Sequence, residues 1–66
     1  MIRFVRSSRP RSYSVWQGDK IIGYVEQVAW RLRGDVYKQG WQPTTPERVV
    51  LPTQPTRKLA GASLVR

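Results

Sequence analysis

Residues 12–27 read "SYSVWQGDKIIGYVEQ" and place two runs of β-branched and aromatic residues on either side of Gly18-Asp19. Such residues favour strands. A two-residue loop with glycine first is typical of the type II′ turn that joins antiparallel strands. Gly23, inside the second run, indicates a bulge or a close approach by another group. The stretch therefore predicts a β-hairpin.

The chain that follows the hairpin allows two interpretations of residues 25–33. Apolar residues recur there at helical spacing, at Val25, Val28, Ala29 and Leu32. The alternative is a third strand, closed by a second turn at Gly34-Asp35 and followed by a fourth strand over residues 36–42. The repeated Gly-Asp turn and the absence of an evident helix cap favour the strands.

In the strand interpretation, alternation sends Trp30 to one face and Arg31 and Arg33 to the other. This predicts a sheet with an apolar face against a helix and an arginine face turned outward. Aromatic side chains supply much of the buried area of a small domain. Whether Trp16 and Trp30 are core residues or exposed rings therefore stays open.

The two ends of the chain carry different signals. Residues 1–11 hold four arginines and no acid, with an alternating pattern over residues 2–6 before Pro10 breaks it. This segment is either an edge strand or a basic arm, and an arm would lie along phosphates or remain solvated. Four of the five prolines fall in residues 42–55, which predicts a semi-rigid connector.

After the connector, Thr56 is placed to cap a C-terminal helix of about ten residues. Gly61 weakens that helix by about 1 kcal/mol relative to alanine, and docking is expected through Leu59, Leu64 or Val65. The chain is thus predicted to be an α+β protein, with an antiparallel three- or four-stranded sheet and a C-terminal helix. Residues 12–66 form one small domain, since 66 residues allow no second core.

Composition limits the function classes. Twelve Lys and Arg against four Asp and Glu give a net charge of +8. Most of the cations are arginines, whose guanidinium groups bind phosphate through two parallel hydrogen bonds. Such a balance favours nucleic acid or another polyanion as partner. The other interpretations are solubility and a surface that meets an acidic protein.

Histidine and cysteine are both absent. This removes the commonest general base, thiolate chemistry and the usual zinc ligands. The expectation is a protein that is not an enzyme and holds no cofactor or metal. The sequence also has no signal-peptide pattern and no membrane-spanning run, so a cytoplasmic location is expected.

The candidate binding residues are cations interleaved with aromatic rings. Arginines and a lysine would neutralise phosphates, while one of two tryptophans would stack on bases. They are Arg9, Arg11, Arg31, Arg33 and Lys38, with Trp16 or Trp41. Two rival hypotheses are a protein partner held by exposed Trp and Tyr and self-assembly through an edge strand. A homo-oligomer is plausible for so short a chain.

The run "YSVWQGDKIIGYVEQVAW", followed by "PTRKLAGASLV", resembles small basic proteins of actinobacterial phages. The order of elements is similar to sheet-plus-helix DNA-binding domains of the AP2 and integrase N-terminal type. That resemblance implies a sheet in the major groove of duplex DNA, contacted through Trp16, Lys20, Arg31 and Arg33. The proline-rich residues 42–55 depart from the short link of that type. A phage origin implies the host cytoplasm, and a phage effector that binds and modulates a host protein as the alternative function.

Overall fold

Two Gly-Asp turns organise the chain, which the computed structural model describes over residues 2–65. Gly18 and Gly34 have φ of 64° and 51°, whereas the aspartate after each has negative φ, as a type II′ turn requires. The pairs Gln17↔Lys20 and Arg33↔Val36 close the two-residue loops. Residues 25–33 are therefore strand, and the helical alternative is wrong.

The elements form an antiparallel meander followed by one helix. The strands are β1 (Ile2–Arg6), β2 (Ser12–Gln17), β3 (Lys20–Arg33) and β4 (Val36–Thr44), and the helix is α1 (Arg57–Ser63). Each strand pairs with the next, in the order β1-β2-β3-β4. The predicted α+β fold, with an antiparallel sheet and a C-terminal helix, is confirmed with four strands.

The core lies between α1 and one face of the sheet. Val15 and Val25 are fully buried there against Ala60, and Leu64 joins them just beyond the helix. A Cβ on Gly23 would lie 2.6 Å from the Thr44 carbonyl oxygen and 2.7 Å from Leu64. The close approach predicted at Gly23 is thus confirmed, because the Leu64 side chain packs where a Cβ would lie.

The helix begins as predicted and is shorter than predicted. The Thr56 hydroxyl accepts a hydrogen bond from the Leu59 backbone N–H at 3.1 Å, but α1 has only seven residues. Of the three alternatives for docking, Leu64 is the residue that is buried, whereas Leu59 is 48% and Val65 40% exposed. The small residues of α1 also face the sheet and let the helix approach it closely.

The proline-rich residues 42–55, predicted to be a semi-rigid connector, lie within β4 or pair with it over part of their length. Pro43 belongs to β4, and the chain then returns along the outer edge of that strand. Trp41 and Gln54 exchange backbone hydrogen bonds of 2.7 and 2.8 Å, and Leu51 N–H donates to the Pro43 carbonyl at 2.9 Å. Proline removes only its own N–H, so the residues between the prolines still pair.

The first residues also pair with the sheet. β1 lies at its edge along β2, and Ser7 N–H donates to the Ser12 carbonyl at 3.0 Å to close the loop between the two strands. Of the two alternatives for residues 1–11, the described residues 2–6 take the edge strand. In the described residues, no helix is both long enough and apolar enough to cross a membrane.

Candidate functional site

The β3–β4 hairpin runs well past the rest of the sheet. β2 pairs with β3 only as far as Glu26, yet β3 continues to Arg33. Every residue from 29 to 39 is exposed, and the molecule measures 43 × 24 × 20 Å. We call residues 29–39 the ribbon; it projects from the body as two paired strands with both faces in solvent.

Each face of the ribbon carries one directly opposed pair of a ring and a cation. Trp30 lies opposite Lys38, and Arg31 lies opposite Tyr37. Directly opposed residues share a face, and neighbours along a strand point to opposite faces. Trp30 is 39% and Tyr37 61% exposed, which decides that Trp30 is not a core residue.

The predicted division into an apolar face and an outward arginine face is wrong in the ribbon. Arg31 lies on the same side of β3 as the buried Val25, while Trp30 lies on the side of Glu26. The reason is the length of α1, which at seven residues covers about 10 Å of the sheet. Beyond it neither face is covered, so alternation no longer separates inside from outside.

The loop between β1 and β2 places two further cations at the root of the ribbon. The Arg9 Nη2 lies 3.3 Å from a carboxylate oxygen of Glu26, and the Arg11 carbonyl accepts from Gln27 N–H at 2.9 Å. Arg11 has a φ of 56°, in the left-handed region. Five predicted site residues thus run from root to tip, over roughly 20 Å of strand. They are Arg9, Arg11, Arg31, Arg33 and Lys38.

The other three predicted residues lie elsewhere. Lys20 and Arg33 are the two ends of the 14-residue β3, about 43 Å apart. Trp16 pairs with Ile21 at the Lys20 end, where its indole N–H donates to the Ser14 hydroxyl at 3.0 Å. Trp41 packs against the core with its ring 5.9 Å from that of Tyr13. The set implied by the AP2-type resemblance is therefore not one surface.

A cleft of about 450 Å³ lies beside the root of the ribbon, between the β1–β2 loop and the turn after β4. Arg9 and Glu26 line one side, and Arg48, with a φ of 69°, lines the other. Arg48 was not among the predicted site residues, since nothing in its neighbourhood in the sequence marks it. Trp30 and Tyr37 were not among them either, because the turn alone does not show that they lie opposite cations.

Within residues 2–65, no cluster of carboxylate, imidazole or thiol groups is arranged to hold a metal ion. No protein-family model, curated protein or solved structure matches the chain. The case for a function therefore depends on the geometry of the ribbon and on the charge of the whole protein.

Proposed function

We propose that this chain is a non-catalytic nucleic-acid-binding protein whose ribbon enters the major groove of duplex DNA. The observation that supports the proposal is a two-stranded ribbon that is exposed to solvent on both faces and bears a cation on each. Lys38 lies on one face and Arg31 on the other. A flat partner would meet only one face, whereas a groove meets both.

The dimensions support a groove over a flat surface. Paired strands lie about 4.8 Å apart, and a sheet with its side chains is about 10 Å thick. The major groove of B-DNA is about 12 Å wide and admits a two-stranded ribbon, whereas the minor groove is about 6 Å wide. Each wall of the major groove is a phosphate backbone, so Lys38 and Arg31 would each face one strand.

The cations at the root suit the same geometry. Arg9 is paired with Glu26, but the two side chains are 76% and 41% exposed. An exposed pair of this kind contributes about 0–1 kcal/mol, so a phosphate can replace Glu26 as the partner of Arg9. The net charge of +8 adds long-range attraction that steers the protein toward a polyanion.

A salt titration of binding to duplex DNA tests the proposal. Five cations on phosphates give a slope of log K against log salt of about −4.5. Lys38→Ala is expected to make that slope shallower by about 0.9. Lys20→Ala removes the same charge at the far end of β3 and is the matched control, with an expected slope equal to that of the parent protein.

Two results would contradict the proposal. The first is the absence of binding at low salt, or a slope near zero. The second is an equal change of slope in Lys38→Ala and Lys20→Ala, because that would mean that charge acts without regard to position. Far-UV circular dichroism of both variants checks that the sheet is intact.

A second candidate function is binding of an acidic host protein, as expected of a phage effector. The observation that favours it is apolar exposure on the ribbon, where Leu32 and Val36 are 57% and 58% exposed. Exposed apolar residues rimmed by charge are typical of protein interfaces. Capture of a partner from nuclease-treated host lysate that Leu32→Ala abolishes, together with failure to bind DNA, would favour this function.

A further inference from the structure

The tip of the ribbon differs chemically from its sides. Leu32 and Val36 flank the turn at Gly34-Asp35 and are both more than half exposed. Leu32 lies at a shift of register between Arg31 and Arg33 and has no directly opposed residue on β4. The most distant part of the ribbon therefore presents two branched apolar side chains beside Arg33, which is directly opposed to Val36, while Arg31 and Lys38 lie farther from the turn.

This inference rests on the proposed function and adds that the tip of the ribbon reaches the floor of the groove. The major groove is about 8.5 Å deep, and its floor presents hydrogen-bond donors and acceptors on the base edges. An apolar side chain pressed on those groups would strip their water without returning a hydrogen bond, which is unfavourable. The apolar group that the floor offers is the C5-methyl group of thymine.

We propose that Leu32 and Val36 recognise the C5-methyl group of a pyrimidine in the major groove of duplex DNA. Two bases carry this group, thymine and 5-methylcytosine. The turn supplies a polar complement, because the Asp35 carboxylate can accept a hydrogen bond from the amino group of a neighbouring cytosine. The protein therefore reads a methyl-bearing duplex and does not bind by charge alone.

Paired duplexes that differ only in the methyl group test this proposal. One pair consists of A·T base pairs, with thymine or with deoxyuridine; the other consists of G·C base pairs, with 5-methylcytosine or with cytosine. Burial of one methyl group corresponds to roughly a fourfold change in affinity. The parent protein is expected to bind the methylated member of a pair about fourfold more tightly for each methyl group contacted.

Variants assign the preference to the tip. The double variant Leu32→Ala/Val36→Ala is expected to bind both members of each pair equally and to keep the salt slope of the parent. Ile21→Ala is the matched control, because Ile21 is an exposed apolar residue at the opposite end of β3. It is expected to keep the full preference for the methylated duplex.

The outcomes separate this inference from the proposed function. Equal binding of the thymine and deoxyuridine duplexes by the parent, with a steep salt slope, overturns the methyl recognition and leaves the proposed function standing. A preference that survives in the double variant overturns the assignment to the tip. Absence of duplex binding overturns both and leaves the tip to a protein partner. A preference in both pairs supports recognition of the methyl group itself, and a preference in the A·T pair alone supports thymine as its source.

Discussion

At Gly61 helix propensity and side-chain packing favour different residues. Helix propensity favours alanine, whereas packing against β1 favours glycine. Glycine inside a helix is about 1 kcal/mol less favourable than alanine. A Cβ at this position, however, would lie 2.6 Å from Cζ of Phe4 and 3.1 Å from Cδ1 of Ile2. The Phe4 ring has little freedom to yield, since it packs edge-on to Tyr13 and under the Arg57 guanidinium.

Gly61→Ala is therefore expected to destabilise the protein. Overpacking costs about 1–3 kcal/mol, and the gain in helix propensity offsets about 1 kcal/mol of it, which leaves a net loss of up to about 2 kcal/mol. Urea unfolding measures it. In a Phe4→Leu background the same substitution should cost less, because the clashing ring is gone. A Gly61→Ala protein more stable than its parent would show that the helix moves to make room.

Pairing within the ribbon shows why the register of a hairpin cannot be predicted from its turn alone. Counting back from Gly34-Asp35 without interruption would set Arg31 opposite Lys38, and directly opposed like charges are destabilising. The shift of register at Leu32 instead sets Arg31 opposite Tyr37 and Lys38 opposite Trp30. The turn fixes the register only up to the first bulge, so this arrangement could not be predicted from the sequence.

The helix depends on its cap to an unusual degree because it is short. A seven-residue helix is not stable in isolation, and Thr56 satisfies one of its first free N–H groups. Thr56→Ala is expected to lower the free energy of unfolding by about 1 kcal/mol, measured by urea titration. Thr56→Ser keeps the hydroxyl and should stay near the parent; equal losses in both variants would mean that the cap contributes nothing.

The whole molecule carries more positive charge than its ion pairs can balance. Among residues 2–65 the structure has one ion pair, Arg9 with Glu26, and it lies at the surface. Two other arginines lie over aromatic rings, Arg3 over Trp16 and Arg57 over Phe4 and Tyr13. The remaining repulsion among like charges opposes the compact state.

Stability should consequently rise with ionic strength. The screening length falls from about 30 Å at 0.01 M salt to about 8 Å at 0.15 M, which weakens the repulsion between distant cations. A gain of about 1 kcal/mol corresponds to a rise in Tm of about 4–8 °C for a domain of this size. Thermal unfolding in NaCl and in KF should give the same rise, and a flat or falling Tm would contradict this account.

The positions of the predicted binding residues show how much of the candidate site the sequence alone predicts. Three of the eight predicted binding residues, Arg31, Arg33 and Lys38, lie in the ribbon on either side of a turn that the sequence marks clearly. Arg9 and Arg11 lie at its root, in the loop between β1 and β2. Trp16, Lys20 and Trp41 were grouped with them by composition and by resemblance. The composition of the chain does not show how far apart its rings and cations lie in the fold. Lys20 and Arg33 are separated by the full length of β3.

The sequence by itself determined the two Gly-Asp turns, the strands between them, the Thr56 cap and the net charge. These depend on a residue and its near neighbours, through φ angles, alternation and one local hydrogen bond. Only the tertiary structure decided that β3 and β4 extend beyond the part of the sheet that α1 covers, which leaves Trp30 exposed. It also decided that the proline-rich segment lies along β4. Burial depends on which distant segment lies against a face, and a short helix leaves the far half of a long hairpin uncovered.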